Sequence, residues 1–543
     1  MRRRTFLQSS SALAGTAMLG GLPGGAGAQT AGGVVEKRSL ITATAQLDPA
    51  RPEIARLIAQ ACQKIGFNCE ANPMDYNQGI QKVVMEHDYE MFLVILAGSP
   101  IRIDPQVFIY GMHHSGEHRR GGFNWMGYAN PKLDALAVQQ EGMLDLEKRK
   151  APVFEAQQMI YDDQPGTIVA YPQLPMAHRS DKVKGLVPQL GEGIGSFWSD
   201  IGMEPIGGDG YVVTGHNADV KHLNPISAND IFEFYEIGMI YDRLMRIGPD
   251  GKPTLWAAKS VTAADDKTID VTIRSGMKWH DGKPVTAEDV KFTFDYHLAQ
   301  KAPFFLAYLR NIEAVDVTGA DSVRFRLTKP FAPILSTVLA GVFLIPKHVW
   351  ERIPGGGVDD ALKFANENPI GSGPFKFDHW RRGQELKVSA NKEHFSPPKC
   401  AGNLRVVYGS HDAMAAALEK GECHRTRYAI GASHVDQLKG KPNIVAKGYP
   451  THGFYHLAYN NKIAPFNNPA FRQALNLVIP RQQISELVLL GYAEPGASVI
   501  SPANAFWHNP AVKAPAEDTK KARDILQKAG FTWDGQGKLK YPA

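Results

Sequence analysis

At 543 residues the chain exceeds what one hydrophobic core supports, so two or more domains are expected. Hydrophobic content of 43% and charged content of 21% are those of a soluble globular protein. The net charge is +5, and residues 1–28 hold three arginines and no acid, so the remainder is near +2 and offers no global electrostatic case for nucleic acid.

The first residues read as targeting rather than fold. Arg2-Arg3-Arg4-Thr5-Phe6-Leu7 is a basic start of twin-arginine type, 11–22 is a weakly apolar Ala/Gly-rich core, and Ala26-Gly27-Ala28 offers small residues to a signal peptidase. A membrane anchor is the rival reading, but the run is too short and Gly-rich to span about 30 Å of hydrocarbon. The mature protein is expected to begin near Gln29, exported already folded, soluble and periplasmic. Four cysteines, Cys62, Cys69, Cys400 and Cys423, permit two bridges in an oxidising compartment without requiring them. Cys62 and Cys69 are the pair nearest in sequence; buried free thiols are the alternative.

The front of the chain alternates strands and helices. Residues 39–45 read as a strand, 52–64 as a helix with Ile54, Leu57, Ile58 and Ala61 on one face, 67–71 as a second strand and 76–86 as a short helix. Met91-Phe-Leu-Val-Ile-Leu-Ala97 lacks alternation, which suits a strand buried on both faces of an α/β sheet. The β-α-β-α-β order predicts a layered α/β lobe. An irregular segment follows over 98–127, then helices opening at 128–136 and spanning 147–161, a strand at 166–171 and a loop-rich stretch over 183–198.

Gly207-Gly-Asp-Gly210 breaks the pattern, and a new strand is expected at 211–214. A helix is expected over 236–246 and a hairpin turn at Pro249-Asp-Gly-Lys252. Alternating Ile269, Val271 and Ile273 mark a strand. Strands are also expected at 322–327, after the Gly-rich turn of 369–377, and at 454–460. Helices are expected at 412–418, 468–478 and 481–490.

The most specific string is Trp279-His-Asp-Gly-Lys-Pro-Val-Thr-Ala-Glu-Asp-Val-Lys-Phe-Thr-Phe-Asp-Tyr296. Asp281-Gly282 is a turn dipeptide, and Thr286 with Asp289 makes a capping-box pattern opening a helix that carries Val290 and Phe294 on one face. The string resembles the Asp-Gly-x-Pro-x-Thr-Ala-x-Asp-Val signature of the large extracytoplasmic solute-binding proteins of ABC importers, the peptide/nickel class (family 5). Asn368-Pro-Ile-Gly-Ser-Gly-Pro-Phe-Lys-Phe377, the helix end of 415–423, and Pro465-Phe466 with Arg472-Gln-Ala-Leu475 resemble further blocks of that family, in the family's own order.

Residues 39–205 also resemble the family, but its C-terminal third, including Asp104-Pro105 and Tyr128-x-Asn-Pro-x-x-Asp-x-Leu136. The chain therefore reads as a circular permutant: the old C-terminal third, a short joint near 199–210, then the old N-terminal two thirds. Domain termini often lie close together on the surface, so such a rearrangement can preserve contacts. A fusion of fragments from two paralogues is the alternative; nearly every expected block occurs once and none twice, which favours permutation. The resemblance implies an α/β, two-lobe periplasmic-binding-protein-like fold (type II, large peptide-binding class). One lobe would be nearly continuous over 175–450 and the other would combine 32–170 with 451–543, with hinge crossings near 170–175 and 449–454.

The resemblance further implies a small-molecule ligand, peptide-like, anionic or a metal chelate, held between hinged lobes. It also implies an inner-membrane ABC permease as partner, with the binding protein acting as a monomer without cofactor. Asn229 and Phe232 are the candidate contacts from the continuous lobe, and Ser99, Arg102, Asp104 and Trp125 those from the split lobe. Dipeptide binders of the family carry Trp-x-Gly-Asp at the strand end, where this chain has Leu96-Ala-Gly-Ser99. An ammonium without a counter-charge is costly in a dry cleft, so a free peptide N-terminus is disfavoured. Arg102, Arg119 and Arg120 would suit a carboxylate or phosphate, unless they form a solvated rim. His113, His114 and His118 lack a completing Cys or carboxylate, so a surface loop is preferred to a metal site. No His-Glu-x-x-His, Walker loop or Gly-x-Ser-x-Gly elbow occurs, and Gly191-x-Gly-x-Gly195 lacks a following apolar helix, so an enzyme is not expected. A sensory or chaperone-like module using the same lobes is the remaining rival.

Overall fold

A computed structural model describes residues 31–302, 305–353 and 358–543. The twin-arginine segment of residues 1–28 lies outside them. Strands Arg38–Ala43 and Cys69–Met74 pair in parallel, as do Arg38–Ala43 and Met91–Leu96. Helix Ala50–Gln63 connects the first two, so the β-α-β-α-β reading of the front holds. In Met91–Leu96, Met91 and Leu93 enter one core, while Phe92, Val94 and Leu96 enter another on the opposite face. That two-sided burial is why this strand shows no polar alternation.

Met91–Leu96 then pairs antiparallel with Phe454–Tyr459. The front of the chain and its tail thus share one sheet. They also share one core, in which Leu40, Ile54, Ile58 and Phe67 pack with Phe466, Phe471, Leu526 and Leu539. The backbone seals the contact: Val35 N–H donates to Leu539 O at 2.8 Å and Leu539 N–H to Gly66 O at 2.8 Å. Gly66 has φ +78°, and a Cβ there would collide with the Gly537 carbonyl, so only glycine lets the tail lie this close.

Strand Gly166–Arg179 is longer than the expected 166–171 because it serves two sets of neighbours. Residues 166–172 pair with Phe454–Tyr459 and Ala493–Pro495, and residues 173–179 with Ile444–Pro450. Beyond it the sheet continues through Arg425–Thr426, Tyr211–His216, Gly402–Val407 and Glu385–Ala390 to Phe375–Arg381. Pairing partners therefore change at Pro172–Gln173 and across residues 451–453.

A separate four-stranded antiparallel sheet, Ala258–Ala263, Thr268–Ile273, Ser322–Leu327 and Ile312–Gly319, packs against helix Ala287–Ala299. Here the 279–296 string is architectural. Trp279 is buried, Gly282 has φ +92°, and the Thr286 hydroxyl and Asp289 carboxylate form the reciprocal capping box. The second oxygen of Asp289 accepts from Lys347 N–H at 3.0 Å, which ties the helix start to the next segment.

The expected helix over 236–246 is displaced. It spans Ile231–Ile240, opened by an Asp230/Glu233 capping box, and ends at Tyr241 in extended backbone. Met245–Ile247 instead pairs with Pro253–Leu255 across the anticipated turn. All four cysteines carry free, buried thiols, and hydrogen bonding to Cys69, reinforced by burial, holds the Cys62 thiol up. Among the described residues no helix is long and apolar enough to cross a membrane.

Candidate functional site

A cavity of about 70 Å³ lies between Ser99 and Pro100 of the front segment and residues from 189–247, 336–341 and 427. At about 10–15 Å³ for each water on this measure, it holds roughly five waters, or a ligand of similar size. Phe197, Trp198, Ile231 and Phe234 supply apolar wall, while Glu192, Arg243, Arg246, Arg427 and Tyr235 supply the polar groups.

The misplaced helix end explains two of these. Because the helix stops at Ile240, Arg243 and Arg246 lie on non-helical backbone beside the cavity. Arg243 Nη1 donates to Ala340 O at 3.1 Å, with its guanidinium over the Phe343 ring. Arg246 Nη2 donates to Gly238 O at 2.8 Å and stacks 3.3 Å from the Phe197 ring centre. Arg427 follows strand Arg425–Thr426 and pairs with Asp200 at 2.6 Å; Arg425 pairs with the same carboxylate. Burial pulls Arg243 down to about 10, opposed by Glu192, and lowers Arg246 as well.

Glu192 comes from the Gly191–Gly195 run. Gly191 and Gly193 have φ of +86° and +52°, and a Cβ on Gly195 would collide with the Arg427 carbonyl. The glycines let this loop press against Arg427 and His452, presenting Glu192 to the cavity. Burial pushes the Glu192 carboxyl up to about 7, against the pull of Arg427 and Arg243. The run that looked uninformative as a phosphate loop has this packing role.

The residues expected from the sequence separate. Ser99 lines the cavity, and its carbonyl accepts from His452 Nε2 at 2.8 Å. Phe232 sits on the correct helix but meets His216 and Tyr428, while its neighbours Ile231 and Tyr235 line the wall. Asn229 is exposed, its N–H held by Glu233 at 3.1 Å in the capping box. Asp104 does not reach the cavity. It is buried in a two-pronged pair with Arg149 at 2.6 and 2.9 Å, and it accepts from the Ser336 hydroxyl at 2.8 Å. Ser336 does line the cavity, so Asp104 stands one residue behind the wall. Trp125 is packed against Phe92 and Phe123 in the core.

Arg102 and Arg119 line a neighbouring groove of about 310 Å³ with Tyr308 and Arg310. Arg119 is exposed and paired with Glu117, and Arg120 is exposed, so the solvated-rim alternative describes these two. Of the histidines, His113 is buried rather than on a surface loop and its Nδ1 lies 2.6 Å from Phe108 O; burial lowers it to about 4. His114 stacks on Tyr110 and His118 on His87. Among the described residues no group of three His, Cys, Asp or Glu side chains is placed to hold a metal ion.

A family model for the bacterial extracellular solute-binding proteins, family 5 Middle, matches residues 252–542. The oligopeptide-binding protein AppA of Bacillus subtilis is 27% identical over 332 residues, 60% of this chain and 60% of that protein. The glutathione-binding protein GsiB of Escherichia coli strain K12 is 26% identical over 325 residues, 59% of this chain and 61% of that protein. Among solved structures, AppA from Clostridium difficile, a peptide binding protein by assignment, aligns at 26% identity with a TM-score of 0.50, covering 60% of this chain and 67% of that one. The chain spans about 60% of the length of the curated relatives it matches.

Proposed function

This chain belongs to the bacterial extracellular solute-binding proteins of family 5, and on that footing we propose that it is the substrate-binding component of an ABC importer, holding a small solute between two lobes. The observation that carries this reading is the composition of the cavity wall. Ser99 and Pro100 come from the segment built with the chain's front and tail, while Glu192, Arg243, Arg246 and Arg427 come from the rest. A ligand touching both sides favours the closed arrangement, because only differential contact shifts such an equilibrium. The hinge crosses at Pro172–Gln173 and 451–453, where the strand pairing changes hands.

The protein acts in the periplasm as a monomer, exported by its twin-arginine-type leader and delivering solute to an inner-membrane permease without catalysing a reaction. Its lobes are residues 175–450 and the combination of 32–170 with 451–543. It is a circular permutant of the family. Supporting this, the family model covers a single linear stretch from 252 to 542, while residues 38–96 complete the sheet and core begun by the tail.

The test is a thermal-shift screen of residues 29–543 against small amino-acid, carboxylate, sugar and metal-chelate solutes. A solute at 100 times its Kd adds about 2.7 kcal/mol of stability. At least one class is expected to raise the melting temperature. A melting temperature unmoved by every class at millimolar concentration contradicts the reading.

A further inference from the structure

Four polar atoms on cavity-lining residues are buried without a hydrogen-bond partner among the described residues. They are the Nε groups of Arg243, Arg246 and Arg427 and the phenolic oxygen of Tyr235. Arg246, Arg427 and Tyr235 are each less than 5% exposed. The remaining ties of the guanidinium groups, to Ala340 O, Gly238 O and Asp200, fix their orientation. Aromatic rings also stack on them: Phe343 on Arg243, Phe197 on Arg246, and Tyr235 on Arg427. A buried donor left unsatisfied is costly, and four on residues that line one small space is an arrangement that an oxyanion among those residues relieves.

Only one carboxylate, Glu192, lines the cavity, against three arginines. No hydrogen bond or ion pair is formed by its carboxylate among the described residues. It is faced by Arg427, Arg243, Arg246 and Asp200, and Tyr235 senses its charge. An ionised Glu192 would repel an oxyanion arriving at the same arginines; a protonated one can donate a hydrogen bond to it.

We propose that the solute is a compact organic anion, its carboxylate or equivalent oxyanion held by Arg243, Arg246, Arg427 and Tyr235, and that it binds together with a proton on Glu192. This rests on the solute-binding reading above and names the chemistry of that site. The position of Glu192 near neutrality, set by burial against the arginines, means the proton is available just below pH 7 and must be taken up above it. Affinity is then level in mild acid and falls by up to tenfold per pH unit in alkali.

The test is calorimetric titration of residues 29–543 with succinate, glutarate and phosphonoacetate. Succinamide serves as the uncharged control and alanyl-alanine as the zwitterion, each at pH 6 and pH 8. At least one of the three anions is expected to bind, about tenfold more weakly at pH 8 than at pH 6. Glu192→Gln is expected to remove the pH dependence and tighten binding about tenfold at pH 8, since the amide supplies a donor without charge. Arg243→Gln is expected to weaken binding at least tenfold while the far-ultraviolet circular dichroism stays unchanged. The proposal is overturned if Glu192→Gln abolishes binding, because Glu192 would then be the counter-charge of a cationic group. It is also overturned if succinamide or alanyl-alanine binds better than every anion, or if none of the anions binds at millimolar concentration. Hydrogen exchange keeps the two readings apart: protection of 189–198 and 336–341 by any solute preserves the solute-binding reading when the anion fails, and its absence with every solute removes both.

Discussion

The backbone N–H of Val35 donates to the carbonyl of Leu539 at 2.8 Å, and Gly32 N–H donates to Pro542 O at 3.0 Å, so the two ends of the described chain lie against each other. The permutation proposal turns on this adjacency. A chain reordered as 211–543 followed directly by 31–205 keeps these contacts and opens new termini beside Gly207–Gly210, where glycines take positive φ on the surface. It is expected to fold with the parent's circular dichroism spectrum and to melt within a few degrees of it. An unfolded or aggregated product opposes the permuted-lobe account.

Asp104 separates stability from recognition. Arg149 is fully buried, and its guanidinium is held by Asp104 and Gln140. Asp104→Ala leaves that charge without its carboxylate, and unfolding free energy is expected to drop by about 3–5 kcal/mol in denaturant titration. At temperatures where the variant is folded, solute affinity should change less than threefold. A large affinity loss with little loss of stability would make Asp104 a ligand contact after all.

Acid should destabilise the protein through its buried and half-buried histidines. Burial holds His113, His178, His280, His297 and His452 at about 4 and His456 at about 3. In the unfolded chain a histidine titrates near 6.5. The folded values are depressed, so the stability these groups contribute is fully present above pH 6.5 and is lost as pH falls towards 4. The loss is roughly 2 kcal/mol or more for each histidine that stays buried. Urea unfolding at pH 7, 6 and 5 should show the midpoint falling steadily; a midpoint that is flat or rises over this range contradicts the assignment.

Glu192 acts in the opposite sense. Its folded value is raised to about 7 from an unfolded value near 4.5, so its ionisation costs stability as pH rises between the two. Glu192→Gln should stabilise the solute-free protein by on the order of 2 kcal/mol at pH 8 and by little at pH 4.5. Equal effects at the two pH values would show that the gain came from packing rather than charge.

Much of the fold was legible because its signals are local. Alternation marked Thr268–Ile273, Thr286 and Asp289 marked a helix start, and Gly421 at φ +80° closes the helix His411–Lys420 that it ends. The uniformly apolar Met91–Leu96 announced its two-sided burial. The helix over 231–240 was misplaced because its apolar residues continue smoothly into Tyr241–Arg246, and the Asp230/Glu233 cap was the signal to read.

The site was less legible because its polar residues come from five separate stretches, around 99, 189–192, 235–246, 336 and 427, and only the folded chain places Glu192 beside Arg243 and Arg427. Arg102, Arg119 and Arg120 were the conspicuous arginines, clustered in an irregular segment after a strand. Arg243 and Arg246 were hidden in what read as the end of a helix over 236–246. The Gly191–Gly195 run did carry a clue: a lone acid among glycines that no local turn requires.

The most direct measurement is a crystal structure of residues 29–543 grown with whichever of succinate, glutarate or phosphonoacetate binds most tightly. The account predicts the oxyanion within hydrogen-bonding distance of Arg243, Arg246 and Arg427, with Ser99 or Pro100 closing over it from the other lobe. Density for the anion in the groove lined by Arg102 and Arg119, or in the one lined by Asp48, Gln173 and Tyr455, with the Glu192 cavity holding only water, would contradict it.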